Sequence, residues 1–398
     1  MDNNKNKSYV ISNGTVITSH RILPGGSVLI KNGIIEAVSE TKIDVPGAVV
    51  IDAEGRYIAP GFIDIHIHGG GGSDFMDGTI EAYLNIAETH VKYGTTGMFP
   101  TTLSGKWEDF INTLEIYETA KEKNLNGSSF LGVHVEGPYL AMSQKGAQDP
   151  RYIRHPDPEE YKYILRKYPF VKRWSIAPEL PGALDFGTFM RLHEVLPAIA
   201  HTDAIYEEVV KAHEVGFSLA THFYSAMSGV TRKNAFRYAG AVEATYLLDA
   251  MDVEIIGDGI HLPASLLRYI LKVKGSDRIA LITDAMRGAG MPEGPSILGA
   301  KGDGLEVIIE DGVAKLPDRS AFAGSVATMD RTVRTILKST PVSLEEAVKM
   351  ASLIPARIMG IHRTKGSITP KKDADIILFD NDIQVSLTMV EGKIVHQK

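Results

Sequence analysis

The chain contains no cysteine, which excludes disulfides and thiolate zinc sites. It also lacks an excess of basic charge: 42 Lys and Arg stand against 49 Asp and Glu, a net charge of −7. Without a basic field, neither nucleic acid nor an anionic membrane is expected as a partner, and an anionic substrate must be held by a few local basic groups. No apolar run approaches the length of a membrane span, and the opening stretch Met1–Ser8 lacks the apolar core of a signal peptide. A cytoplasmic location is the expectation. At 398 residues, 44% hydrophobic and 23% charged, the composition fits a globular protein of one large domain and one smaller one.

The first 58 residues read as β. Short β-branched runs (Tyr9-Val-Ile, Thr15-Val-Ile-Thr, Ser27-Val-Leu-Ile-Lys, Ile34-Ile-Glu-Ala-Val) are separated by Asn13-Gly14 and Asn32-Gly33, both hairpin turn signals. The last 35 residues look alike, with Glu391-Gly392 at a turn. Residues 1–58 and 364–398 are therefore expected to pair as one discontinuous β-sandwich. Between them, residues 59–363 alternate eight candidate strands (near 62–68, 95–100, 130–136, 172–177, 196–201, 217–222, 252–258 and 278–284) with helical stretches such as Ile80–Tyr93, Trp107–Lys123 and Ala204–Val215. Eight βα repeats in about 300 residues predict an α/β fold, a TIM (β/α)8 barrel. After strand eight, residues 305–316 with Asp311-Gly312 suggest an inserted hairpin, and Ser343-Leu-Glu-Glu346 reads as a capping box opening a helix.

Six residues end these strands with metal-binding chemistry: His66 and His68, then Glu136, His201, His222 and Asp284. Imidazole and carboxylate are ligands for Zn²⁺, Fe²⁺, Mn²⁺ or Co²⁺, and two histidines two residues apart on a strand share a face. In TIM barrels the chemistry sits at the C-terminal ends of the strands, where all six fall. Singly, each histidine reads equally well as a core residue bonded to backbone; six together do not. Asp284 could instead cap a helix, His261 bond backbone at a strand end, and Arg237 be a solvated arginine.

The phrases Pro60-Gly-Phe-Ile-Asp-Ile-His-Ile-His-Gly69, His134-Val-Glu-Gly-Pro138, Lys145-Gly-Ala-Gln-Asp-Pro150, Thr221-His-Phe-Tyr-Ser-Ala-Met227, Asp258-Gly-Ile-His261, Thr283-Asp-Ala-Met286 and Ala323-Gly-Ser-Val-Ala-Thr-Met-Asp330 run in one order along nearly the whole chain. In them the chain resembles the amidohydrolase superfamily and, within it, the N-acetylglucosamine-6-phosphate deacetylase family. The resemblance implies metal-dependent hydrolysis of an N-acetyl amino-sugar phosphate, with one or two divalent ions (zinc first, then iron, manganese or cobalt) and a homodimer. It implies metal ligation by Glu136, His201 and His222, extended by His66 and His68. It implies acid–base catalysis by Asp284 and substrate contacts from His261, Ser225 and Ala226.

Three departures stand out: Gln148, expected to donate a hydrogen bond to a substrate carbonyl where many members have a histidine, Ser225 in place of asparagine, and a longer basic segment, Arg232–Gly240. The family arginine that reaches a neighbouring subunit's phosphate maps onto Arg237 within that segment, with Arg232 and Lys233 as neighbours able to serve. Other amidohydrolase activities on the same barrel are an N-acetylgalactosamine-6-phosphate deacetylase, a D-aminoacylase or a dihydroorotase-like ring opening. A catalytically silent scaffold would show a missing ligand. His134, on the same face as Glu136, is expected behind the ligands.

Overall fold

The computed structural model describes residues 7–398. Most of the stretch Met1–Ser8 lies outside the described residues. Eight short strands form the centre: β1 (Phe62–Ile67), β2 (Thr95–Pro100), β3 (Val133–Glu136), β4 (Val171–Ile176), β5 (Leu196–Ile199), β6 (Leu219–Ala220), β7 (Asp252–Ile256) and β8 (Ile279–Ile282). All neighbouring pairs are parallel. The ring closes through a bridge from Thr101 to His134 between β2 and β3, and one from Ile67 to Ala285 between β8 and β1. A helix follows each strand, from Ile80–His90 after β1 to Met329–Ser339 after β8. This is a closed (β/α)8 barrel.

Strands buried on both faces read as near-continuous apolar runs, and the cores they feed alternate with period two. On the barrel strands, Phe99, Ala198, Leu219, Ala280 and Ile282 pack in one cluster. Their chain neighbours Met98, Ile199, Ala220, Ile279 and Leu281 join the larger cluster shared with the helices. Predicted strand 130–136 divides: Ser129–Phe130 pairs with β2, and β3 restarts at Val133 after Gly132.

Strands from both ends of the chain meet in one eight-stranded sheet, joined where Ile376–Phe379 runs antiparallel to Tyr57–Pro60. Alternation divides this strand too. Ile376 and Leu378 enter the sheet's own core, while Ile377 and Phe379 enter the barrel core. Ile377→Ala should therefore cost roughly 2–5 kcal/mol of stability, the range for a large-to-small change in a core. Chemical denaturation reads this; a loss near zero would mean that the terminal sheet does not dock on the barrel.

Asn13-Gly14 is not a hairpin turn. Both residues lie inside one ten-residue strand, Ser8–Ile17, at a register shift. Asn13 takes φ 57° and its side chain donates to Asp52 Oδ1 at 2.7 Å. A Cβ on Gly14 would meet the Arg56 carbonyl at 2.6 Å, so the pair serves a bulge and a close approach. Asn32-Gly33, Asp311-Gly312 and Glu391-Gly392 do make tight hairpin turns, with positive φ at both residues of each pair. The hairpin at 305–316 belongs to a larger four-stranded antiparallel insert, Gly294–Leu298 to Phe322–Ser325. Ser343 and Glu346 form the capping box of helix Leu344–Met350. No helix among the described residues is long and apolar enough to cross a membrane.

Candidate metal centre and active site

The barrel brings five nitrogen and oxygen donors from four strands onto one point, with a sixth beside them. His66 and His68 lie at the end of β1, with their Nε2 atoms 3.2 Å apart. Glu136, the last residue of β3, sits between the two histidine pairs. Its Oε1 is 3.6 Å from His66 Nε2, 3.4 Å from His201 Nε2 and 3.0 Å from His222 Nε2, and its Oε2 is 3.4 Å from His68 Nε2. His201 and His222 approach each other to 3.2 Å. Asp284 Oδ1 stands 3.2 Å from His68 and 3.5 Å from His66. All six residues are buried.

Three of these six sit just past their strands with left-handed backbone: His201 (φ 45°), His222 (φ 31°) and Asp284 (φ 50°). Tyr224 and Ala226 share that conformation. Non-glycine residues pay strain there, and such strain gathers at functional sites. It also ends β6 after two residues, where the sequence predicts 217–222. No helix begins at Asp284, so its reading as a cap fails.

The donor set fits a metal. His66 Nδ1 faces Glu254 Oε2 at 3.2 Å, His68 Nδ1 the Thr101 carbonyl at 3.3 Å, and His201 Nδ1 the Gln144 carbonyl at 2.7 Å. Each acceptor takes the proton on Nδ1, which directs Nε2 into the centre. Two nitrogens 3.2 Å apart, as in His66 and His68, need positive charge between them, a metal ion or, without one, a proton. The charges agree. Burial works against a charge on His66, yet Glu136 and Asp284 outweigh it and raise its pKa to about 10. Burial would likewise raise Glu136, but His66, His201 and His222 hold it well below the ordinary glutamate value. Asp284 is lowered against its burial by His66 and His68.

A pocket of about 730 Å³, counting its open side, lies over this centre. His261, Ser225, Ala226 and Gln148 line it, as do Leu298, Ala321 and Phe322 of the four-stranded insert. His261 Nδ1 is 2.7 Å from Asp258 Oδ2, a carboxylate partner rather than backbone, and its ring packs 4.7 Å from Phe322. Gln148, expected to contact substrate, also contacts the centre itself. Its Nε2 donates to Glu136 Oε2 at 2.8 Å and its Oε1 accepts from Ser104 N at 2.9 Å, so it braces a candidate ligand and leaves at most one N–H for substrate.

Arg237 is not brought to the pocket. It lies with Arg232 and Lys233 on an exposed two-stranded hairpin, Thr231–Lys233 and Phe236–Tyr238. His134 stands behind the centre, bonded to Ser175 Oγ at 2.7 Å and Thr101 Oγ1 at 3.2 Å, and burial then the Arg173 charge keep it neutral.

Sequence reading missed Arg173 and Glu254. They form a buried ion pair beneath the histidines, with Arg173 Nη2 2.9 Å from Glu254 Oε2. The available signal was a second charged residue, after Lys172 and Asp252, within each of the strands Val171–Ile176 and Asp252–Ile256.

Comparison with known proteins agrees with this geometry. The amidohydrolase family model matches residues 57–395. An N-acetylglucosamine-6-phosphate deacetylase of Lysinibacillus sphaericus is 32% identical over 392 residues, covering 97% of each chain. An N-acetylgalactosamine-6-phosphate deacetylase of Escherichia coli O157:H7 is 28% identical, over 97% of this chain and 99% of that one. A mutant N-acetyl-D-glucosamine-6-phosphate deacetylase from Mycobacterium smegmatis, solved in complex with N-acetyl-D-glucosamine-6-phosphate, superposes with a TM-score of 0.89 at 28% identity over 98% of this chain and 100% of that one. The chain belongs to the amidohydrolase family.

Proposed function

We propose that this chain hydrolyses N-acetylglucosamine 6-phosphate to glucosamine 6-phosphate and acetate. The observation that carries the reading is the convergence of His66, His68, Glu136, His201, His222 and Asp284 at the mouth of the barrel, in a chain similar over its whole length to deacetylases of this substrate. The barrel unit, residues 59–363, is the catalytic part. Glu136, His201 and His222 hold the first divalent ion, and His66 and His68 allow a second. Zinc suits an imidazole and carboxylate set best, with iron, manganese and cobalt next. A bound ion supplies Lewis acidity: it acidifies water and polarises an amide carbonyl.

The side chains do the rest. Asp284, ionised, takes a proton from the attacking water and passes it to the nitrogen as the C–N bond breaks, so the amine leaves neutral and the acetyl group leaves as acetic acid, which gives its remaining proton to water and becomes acetate. His261, fixed through Nδ1 by Asp258, presents its other nitrogen to substrate oxygens. Acetate release from the metal-loaded protein tests the reading on a panel of N-acetylhexosamine 6-phosphates and N-acyl-D-amino acids. Release from the galactosamine epimer alone would select the second reading, which the E. coli relative supports. Release from a D-amino acid alone would refute both. A charged sugar phosphate does not cross membranes unaided, so this reading places the enzyme in the cytoplasm.

Among the described residues, no lysine or arginine lines the pocket. A phosphate ester needs a donor fork, and arginine matches phosphate bidentately. Arg232 and Arg237 face each other across the exposed hairpin, an unfavourable like-charge pair unless an anion joins them. Beside them along the chain Phe236 and Val230 are 71% and 60% exposed, more apolar surface than a lone hairpin tip would carry into water. These features support a homodimer in which the hairpin of one subunit reaches the pocket of the other. Arg237→Ala is expected to raise KM for the 6-phosphate ester roughly ten- to hundredfold, the worth of a hydrogen bond to a charged group. The non-phosphorylated N-acetyl sugar should be unaffected. An equal shift for both substrates, or a fully active monomer, rules this out.

A further inference from the structure

We propose that the Arg173–Glu254 ion pair is a positioning clamp that presets the His66 imidazole for metal and so sets affinity on the His66/His68 side of the centre. The inference rests on the metal reading above.

Both side chains are fully buried. A buried ion pair repays its desolvation poorly, so it is weak evidence for stability and better evidence for fixing one arrangement. The contacts say which arrangement. Glu254 Oε2 lies 3.2 Å from His66 Nδ1 and accepts from the backbone N–H of His222 at 3.2 Å. Arg173 binds both Glu254 oxygens. It also donates to the Ile65 carbonyl at 3.1 Å and to Thr221 Oγ1 at 2.8 Å. Ile65 and Thr221 are the residues immediately before His66 and His222. Two side chains from β4 and β7 thus grip the approach to one ligand from each histidine pair.

The pair also fixes a proton. Arginine remains charged in a protein and keeps Glu254 an acceptor only. His66 then keeps a proton on Nδ1 and would ligate a metal through Nε2. Glutamine at 254 has the same shape, but its amide can turn and donate to Nδ1, which permits the tautomer that cannot ligate through Nε2. Partners behind a ligand of this kind are worth about 10–100-fold in metal affinity.

The test is a titration of chelator-stripped protein with Zn²⁺, in wild type, Glu254→Gln and the charge-balanced double variant Arg173→Met/Glu254→Gln, each also made with His66→Ala. We expect the Glu254→Gln change to lower affinity about 10–100-fold with His66 present and to have no further effect once His66 is alanine. Unchanged affinity with His66 present, or the same fall without it, overturns the clamp. Histidine ¹⁵N NMR of the zinc-loaded wild type checks it without any variant: His66 should carry its proton on Nδ1, and a proton on Nε2 overturns it. Wild-type protein that takes up no zinc overturns the metal reading and the clamp together, whereas zinc uptake indifferent to Glu254 overturns the clamp alone.

Discussion

His222→Ala is expected to lose its metal and its deacetylase activity together while the barrel stays folded. His222 Nε2 lies 3.0 Å from Glu136 and 3.2 Å from His201, so its removal takes one of three donors from the first ion. The loss in metal affinity should exceed the roughly 10–100-fold that a residue behind a ligand is worth. The fold should survive, because the side chain projects from the end of the two-residue strand β6 into the pocket, and the strand's ladder uses backbone alone. The ring stands against His66 and His201 and faces the pocket, not the apolar core. Glu136→Ala and His201→Ala should behave alike. Metal analysis beside circular dichroism reads the result. A folded His222→Ala protein with its full metal content would remove His222 from the ligand set.

The candidate ligands were legible in the sequence because metal chemistry restricts residue type and the barrel restricts position. A histidine or carboxylate at the C-terminal end of a buried strand is costly unless something there uses it. Their backbone was not legible. Nothing in the string Thr221-His-Phe-Tyr-Ser-Ala-Met227 announces three positive φ angles in five residues, since none of the residues is glycine. Asn13-Gly14 misled for the converse reason: the dipeptide favours positive φ, and a bulge uses that as readily as a hairpin does. Arg173 and Glu254 were missed because a charged residue in a strand reads as a solvated face, and only the closed barrel turns that face inward to a partner 81 residues away. Arg237 shows a further limit. The resemblance implies a contact with a second subunit, and such a contact leaves no mark on the fold of one chain beyond an exposed, apolar, doubly basic hairpin.

Asp284→Asn is expected to keep the metal and lose the rate. The change preserves size, and asparagine tolerates the left-handed backbone of this position (φ 50°) as well as aspartate does. The backbone is held from both sides: Asp284 N donates to the His66 carbonyl at 3.0 Å, and its carbonyl accepts from Ser325 N at 2.7 Å. Gly324 allows this closeness, because a Cβ there would come within 2.9 Å of the Asp284 carbonyl. The geometry should therefore persist while the proton acceptor disappears. Asp284 suits the role because His66 and His68 overcome its burial and hold its pKa below the ordinary aspartate value, so it is ionised at neutral pH. Glu136, His201 and His222 remain to hold metal. General acid–base catalysis contributes about 10²–10⁴-fold, and kcat should fall by that factor with KM little changed. Steady-state acetate release on metal-replete protein measures it. A near-normal kcat would move the proton transfer elsewhere. His134 is then a poor substitute, since Ser175 and Thr101 occupy both its ring nitrogens. His261 is the better one, because it lines the pocket with one nitrogen held by Asp258 and the other free to face the substrate.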